Sequence, residues 1–414
     1  MTGAERLHAL DSLRAVAMLL GVVLHAALPF MTFRTIWIVY DANPGAGFDT
    51  LIGFIHGFRM QLFFFIAGFF AHLSWKQSGT RGFIRQRGLR IGVPFLLGML
   101  TIVPIGLLLY FWAEQINGPN PTLLQPPEPS LLAYPTMHLW FLELLLIYYA
   151  AAMLLVQCRH YAPGIKLAAA LDAGFAWLIR QPLKPLMLSL PTIACLWNGP
   201  SFGEVDLMGT GLLPSLRAVL YFALFFSAGW WMHRSVHLID VLGRHLKTYA
   251  LLALVAALAW GTGLAVEAAH ADASGGYVKL FSLFSASLYA WCMSFAVTGL
   301  FLRFAAEHRP WLRYLADSSY WIYLWHLPLV MWLQLEIVKL PLGGWPKLLL
   351  ILAAAILVLL PSYHWLVRFT WIGKMLNGPR NPPAVAGAEL QKTGLHGVEW
   401  KNRGSKHGWR SHGY

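Results

Sequence analysis

Charge is scarce in this chain. Only 12% of its 414 residues are Asp, Glu, Lys or Arg, while 57% are hydrophobic. Soluble domains carry about 25% charged residues. So little charge for so much apolar surface excludes an ordinary cytosolic enzyme and a nucleic-acid-binding domain, and describes a polytopic chain dissolved in lipid. Cysteine is rarer still. Cys158, Cys195 and Cys292 lie far apart with no CxxC pair, which excludes a disulfide scaffold and gives no support for a metal site. The apolar runs also lack the alternation of a membrane barrel. No 20–50-residue repeat or pair of similar halves is visible, which weakens the case for an inverted-repeat transporter.

What is present is a series of continuous apolar runs. A spanning helix needs about 20 such residues. Ten candidates centre near Leu20, Phe63, Ile102, Leu146, Ser189, Phe225, Leu254, Leu288, Val330 and Ala355. The fifth, Leu183 to Trp197, is short and interrupted by Pro185 and Pro191. The expected fold is therefore an all-α, polytopic transmembrane helical bundle of about ten spans. Its first helix is retained rather than cleaved as a signal peptide. Residues 1–376 form the membrane domain, and the Gly-, His- and basic-rich stretch 377–414 reads as a disordered cytoplasmic tail.

The net charge of +13 is odd for such a chain until it is sorted by loop. With a cytoplasmic N-terminus, 25 of the 31 basic residues fall on the cytoplasmic side, as the positive-inside rule requires. Both termini are then cytoplasmic. Arg59 is the exception, because it falls within a span.

Ionisable groups within spans cost about 2.5 to 3.5 kcal/mol on insertion scales and mark function by default. Helical rise puts His25 about 20 Å from the cytoplasmic side, and His56 and Arg59 about 8 and 12 Å in from the outside. Glu143, on the fourth span beyond His138, sits in the same outer half. Such groups can be hydrogen-bonded core residues, and Arg59 with Glu143 can be a structural ion pair. Their common depth points instead to a site, where a neutral imidazole would act as general base on a sugar hydroxyl. Arg59 would then hold an anion or a developing oxyanion. In the ninth span an interfacial aromatic belt accounts for Tyr320, Trp321, Tyr323 and Trp325 but not for His326. The loop Lys76 to Arg90 has five basic residues and no acid. Orientation and lipid headgroups suffice to explain it, yet Arg87 and Arg90 on one face would also suit phosphates.

These residues form a familiar set. Leu10-Asp11-Ser12-Leu13-Arg14-Ala15, with His25 after ten intervening residues, resembles the opening of the acyltransferase 3 family of membrane acyltransferases. The runs Phe54 to Phe64 and His138-Leu139-Trp140-Phe141-Leu142 look like its glucan biosynthesis protein C branch, which succinylates osmoregulated periplasmic glucans. Arg87 to Pro94 and Tyr320 to Pro328 match as well, and the similarity runs from about residue 5 to 370. Glu143 departs from the branch, where an apolar residue is usual.

The resemblance implies a multi-pass enzyme of the bacterial inner membrane. Its donor would be a cytoplasmic coenzyme A thioester, succinyl or acetyl, and its acceptor a periplasmic glucan hydroxyl. It implies His25 as the catalytic residue with Arg14 as its partner, and Arg85, Arg87 and Arg90 on the donor. Asp11, His56, Arg59, Glu143 and His326 are the candidate substrate-binding residues. No metal, tightly bound cofactor or nucleic acid is implied. Two other functions stay open: O-acetylation of another envelope polysaccharide, and transport of a glycan or acyl carrier.

Overall fold

Long apolar runs have to satisfy their backbone groups internally, and in lipid the helix does so within one segment. The computed structural model describes residues 3–33, 37–117, 134–158, 162–199, 211–269, 276–305, 307 and 309–377. Among them there is no strand. Thirteen helices follow one another. They are α1 (Gly3–Ala27), α2 (Ala46–Arg87), α3 (Val93–Asn117), α4 (Trp140–Cys158), α5 (Ala162–Arg180), α6 (Lys184–Leu196) and α7 (Leu216–Arg234). Then come α8 (Asp240–Arg244), α9 (Leu246–Ala269), α10 (Gly276–Phe304), α11 (Pro310–Ile337), α12 (Gly344–Ser362) and α13 (Trp371–Asn377). These described residues lie within the compact unit Met1–Gly378. Past Asn377, the expected tail lies outside the described residues.

Among the described residues, six helical stretches are long and apolar enough to cross a membrane: His8–Phe30, Ala46–Ile116, Met137–Cys158, Leu246–Glu267, Gly276–Phe304 and Gly344–Val367. The second, of 71 residues, would be about 105 Å long if straight, far beyond a ~30 Å hydrocarbon core. It is not straight. Gly79 has φ 65°, a left-handed value that glycine adopts without penalty. The chain folds back there, held by the Ser74–Gln86 hydrogen bond and by Trp75 Nε1 donating to Thr80 at 3.2 Å. A π-helical turn, Gly88–Gly92, then leads into α3. Helix α6, with 13 residues, is only about 20 Å long.

Besides the short α8 and α13, the element that the apolar runs did not announce is α5. Its start, Ala162, follows the described end of α4 closely, and it carries Lys166, Asp172 and Arg180 among Ala and Leu. Its Asp172 pairs with Arg234 at the end of α7.

The most extensive packing joins α9 to α10, α2 to α7 and α1 to α11. In α2 and α7 it depends on two glycines. A Cβ at Gly68 would lie 1.9 Å from the Phe226 carbonyl, and one at Gly229 would lie 1.7 Å from that of Phe65. Backbones can approach this closely only where side chains are absent. The contact of α1 with α11 brings together the two histidines on which the site is built.

Candidate active site

Pro328 lies inside α11. A proline has no N–H, so the carbonyl four residues earlier loses its helical partner. That carbonyl belongs to Leu324, and His138 Nε2 lies 3.1 Å from it. One turn of side chains away, His326 directs Nδ1 at the Tyr323 carbonyl at 2.7 Å and the Ile322 carbonyl at 3.2 Å. Carbonyls only accept, so His138 carries its proton on Nε2 and His326 carries its own on Nδ1.

The second nitrogen of His326 meets His25. Nε2 of His326 is 3.3 Å from Nδ1 of His25, with the rings 10° apart in plane and 5.1 Å between centroids. With the neutral His326 holding its proton on Nδ1, its Nε2 accepts and His25 Nδ1–H donates. The lone pair of His25 is thereby placed on Nε2. The ring also stacks with Trp37, 5.9 Å away and 19° from parallel. Gln334 fixes both, accepting from Trp37 Nε1 at 3.0 Å and donating to the His25 carbonyl at 2.7 Å.

A cavity of about 40 Å³ is lined by His25, Arg59, His138, Tyr323 and His326, and otherwise by apolar and aromatic side chains such as Phe63, Trp140 and Phe141. Arg59 is 9% exposed and its Nε has no hydrogen-bond partner. Among the described residues it forms no ion pair with a carboxylate. A buried cation of this kind is costly to hold, so an incoming anion or oxyanion is what it suits. The guanidinium rests against α1 at Gly21, where a Cβ would come within 2.0 Å of Nη1.

The sequence-derived candidates therefore separate. His25, Arg59 and His326 line the cavity, and His56 lies outside the lining. Glu143 is buried with Oε2 lacking a partner; it neither lines the cavity nor pairs with Arg59. His138 lines the cavity although the apolar runs singled it out only as the start of a span. The traceable signal is Pro328, which leaves a carbonyl free without telling which donor takes it.

Arg14 lies elsewhere. It sits on the same face of α1 as His25 but three turns away, about 16 Å. There it pairs with Asp11 at 3.3 Å and lies within electrostatic reach of Arg90, as does Arg87. Arg87 donates to the Phe70 carbonyl at 3.2 Å, and its guanidinium lies 5.2 Å from the Tyr149 ring. Its Nε is buried without a partner. In the π-helical turn the Arg90 carbonyl accepts from the Tyr320 hydroxyl at 2.7 Å. Arg14, Arg87 and Arg90 form a basic cluster in which Asp11 is the one carboxylate found paired among the described residues. Arg85 is exposed and outside it. The cluster and the cavity are joined along one face of α11 by Tyr320, Tyr323 and His326, with the two tyrosine rings 6.2 Å apart.

Residues 7–364 match a family model described as an acyltransferase domain. Glucans biosynthesis protein C of Salmonella paratyphi B and of Salmonella heidelberg are each 36% identical over 146 residues, 35% of this chain and 37% of theirs. The match thus spans little more than a third of those relatives' length. No solved structure matches. A family match over most of the length shows that the chain belongs to the acyltransferase 3 family.

Proposed function

We propose that this chain is a multi-pass O-acyltransferase of the bacterial inner membrane, with ten spans and both termini cytoplasmic. It moves a succinyl or acetyl group from a cytoplasmic coenzyme A thioester to a hydroxyl of a periplasmic glucan. The observation that carries this reading is the His25–His326 pair, which leaves His25 Nε2 as a base in a cavity that also holds an unpaired guanidinium. The relatives' name supports glucan as the acceptor.

The steps follow from the residues. The acceptor hydroxyl gives its proton to His25 Nε2 as its oxygen attacks the thioester carbonyl. Charge develops on the carbonyl oxygen, and the Arg59 guanidinium offsets it in a water-poor site. The C–S bond then breaks, and the leaving thiolate takes the proton from the His25 imidazolium. Arg14, Arg87 and Arg90 hold the donor's phosphates at the other end, and the Tyr320–Tyr323 face spans the distance between them. Excluding water from this path limits hydrolysis of the thioester.

The test is mass spectrometry of periplasmic glucans from cells with wild-type protein, with His25→Ala, and with none. Succinyl or acetyl substituents are expected with wild type alone. Wild-type substitution in the His25→Ala cells would overturn the assignment. Movement of a glycan by proteoliposomes lacking any acyl donor would establish transport in its place.

A further inference from the structure

We propose that His138 is a second acceptor-binding residue, taking a hydrogen bond from the hydroxyl next to the one that reacts, and so selecting a polyhydroxylated acceptor. The inference rests on the acyltransferase reading above and names what that site recognises.

Geometry carries it. The Nε2–H of His138 is committed to the carbonyl that Pro328 frees. The remaining lone pair is therefore on Nδ1, and Nδ1 is buried with no hydrogen-bond partner. His138 is itself 7% exposed and lines the same cavity as His25. Its ring stands 5.3 Å from that of His326, to which His25 also bonds. A buried acceptor left without a donor loses about 1–3 kcal/mol, so an unpaired one in a cavity calls for a ligand that supplies the donor. The backbone is also unusual here. Met137, immediately before His138, has φ 46°, a left-handed value uncommon outside glycine and of a kind that gathers at functional sites.

The cavity is thus lined by two imidazoles that each keep an acceptor nitrogen without a partner, Nε2 in His25 and Nδ1 in His138, beside one cationic donor, Arg59. A monohydric alcohol satisfies one acceptor. Neighbouring hydroxyls on a sugar ring satisfy both, and the second bond fixes which hydroxyl faces the base.

Two substitutions separate this role from a structural one. His138→Gln keeps a donor at the Nε2 position for Leu324 but removes the acceptor at Nδ1. His138→Asn keeps an acceptor at the Nδ1 position and loses the donor. The assay uses full-length protein in nanodiscs with succinyl- and acetyl-coenzyme A, a short β-glucan, and deoxy analogues lacking one hydroxyl each.

For wild type, loss of the neighbouring hydroxyl is expected to raise the acceptor KM three- to tenfold, the worth of one hydrogen bond. In His138→Gln the intact glucan shows that raised KM already, the deoxy penalty disappears, and donor KM is unchanged. His138→Asn retains the wild-type acceptor KM. A third variant, Pro328→Ala, restores an N–H that competes for the Leu324 carbonyl and is expected to raise acceptor KM with the imidazole still present. A deoxy penalty that survives in His138→Gln overturns the proposal while leaving the acyltransferase reading intact. A wild-type protein that acylates no sugar overturns that reading itself.

Discussion

His25 Nδ1 lies 3.3 Å from His326 Nε2, and that contact decides which nitrogen of His25 can act as a base. His326 can accept because its own proton is held by the carbonyls of Ile322 and Tyr323. It is a positioning residue, and a chain of hydrogen bonds beginning in the α11 backbone ends in a lone pair on His25.

His326→Leu should therefore leave His25 free to take either tautomer and rotate. A fall in kcat of about 10²- to 10⁴-fold is expected, the range of a general-base contribution, with donor KM little changed. His326→Gln, which can present a carbonyl near the Nε2 position, should recover part of the loss. Steady-state kinetics on the purified enzyme decides it. An unaltered kcat in His326→Leu would remove His326 from the mechanism.

Gly21→Ala tests Arg59 without touching it. The new Cβ would meet Nη1 at 2.0 Å, so the guanidinium must move while the α1 backbone stays. A shift of about 1 Å at a reacting centre costs on the order of 10²-fold in rate. The expected result is a protein with near wild-type melting temperature and a kcat down by about that factor. A parallel loss of folding would show a packing role.

How much of this could be read in the sequence differs by level. The helices were legible because lipid demands continuous apolar runs, and such runs survive without knowledge of their neighbours. Helix α5 was not, because its stability comes partly from pairing Asp172 with Arg234, a partner 62 positions away. His25, Arg59 and His326 stood out as ionisable groups in apolar surroundings. Their meeting did not, since the register of α1 against α11 joins residues 301 positions apart. The grouping of Arg14 with His25 as a motif hid the three helical turns between them.

The basic cluster makes a separable prediction. Arg87→Ala with Arg90→Ala should raise donor KM about tenfold or more, as expected for charge-assisted bonds to phosphate. Acceptor KM should barely move, because the cluster is about 16 Å along α1 from the base. Arg14→Ala should behave like the pair and not like His25→Ala. If Arg14→Ala instead lowers kcat with donor KM intact, the arginine belongs with the chemistry.

A buried ion pair follows Trp37, which stacks over His25: the Lys347 side chain is 3% exposed and bonds to the fully buried Asp41 at 2.6 Å. Lys347 also donates to the Val338 carbonyl at 2.8 Å, and the Asp41 amide donates to the Pro29 carbonyl at 2.9 Å. The pair thus ties the segment after Trp37 to the start of α12. Removing one partner strands a buried charge, which destabilises by about 3–5 kcal/mol, whereas replacing both with groups of similar size is often close to neutral. Lys347→Met should lower the melting temperature clearly, and adding Asp41→Asn should restore most of it. Activity in the double variant reports on the loop itself. A kcat that stays low once stability has returned would show that the ion pair positions Trp37 against His25, and full recovery would confine it to folding.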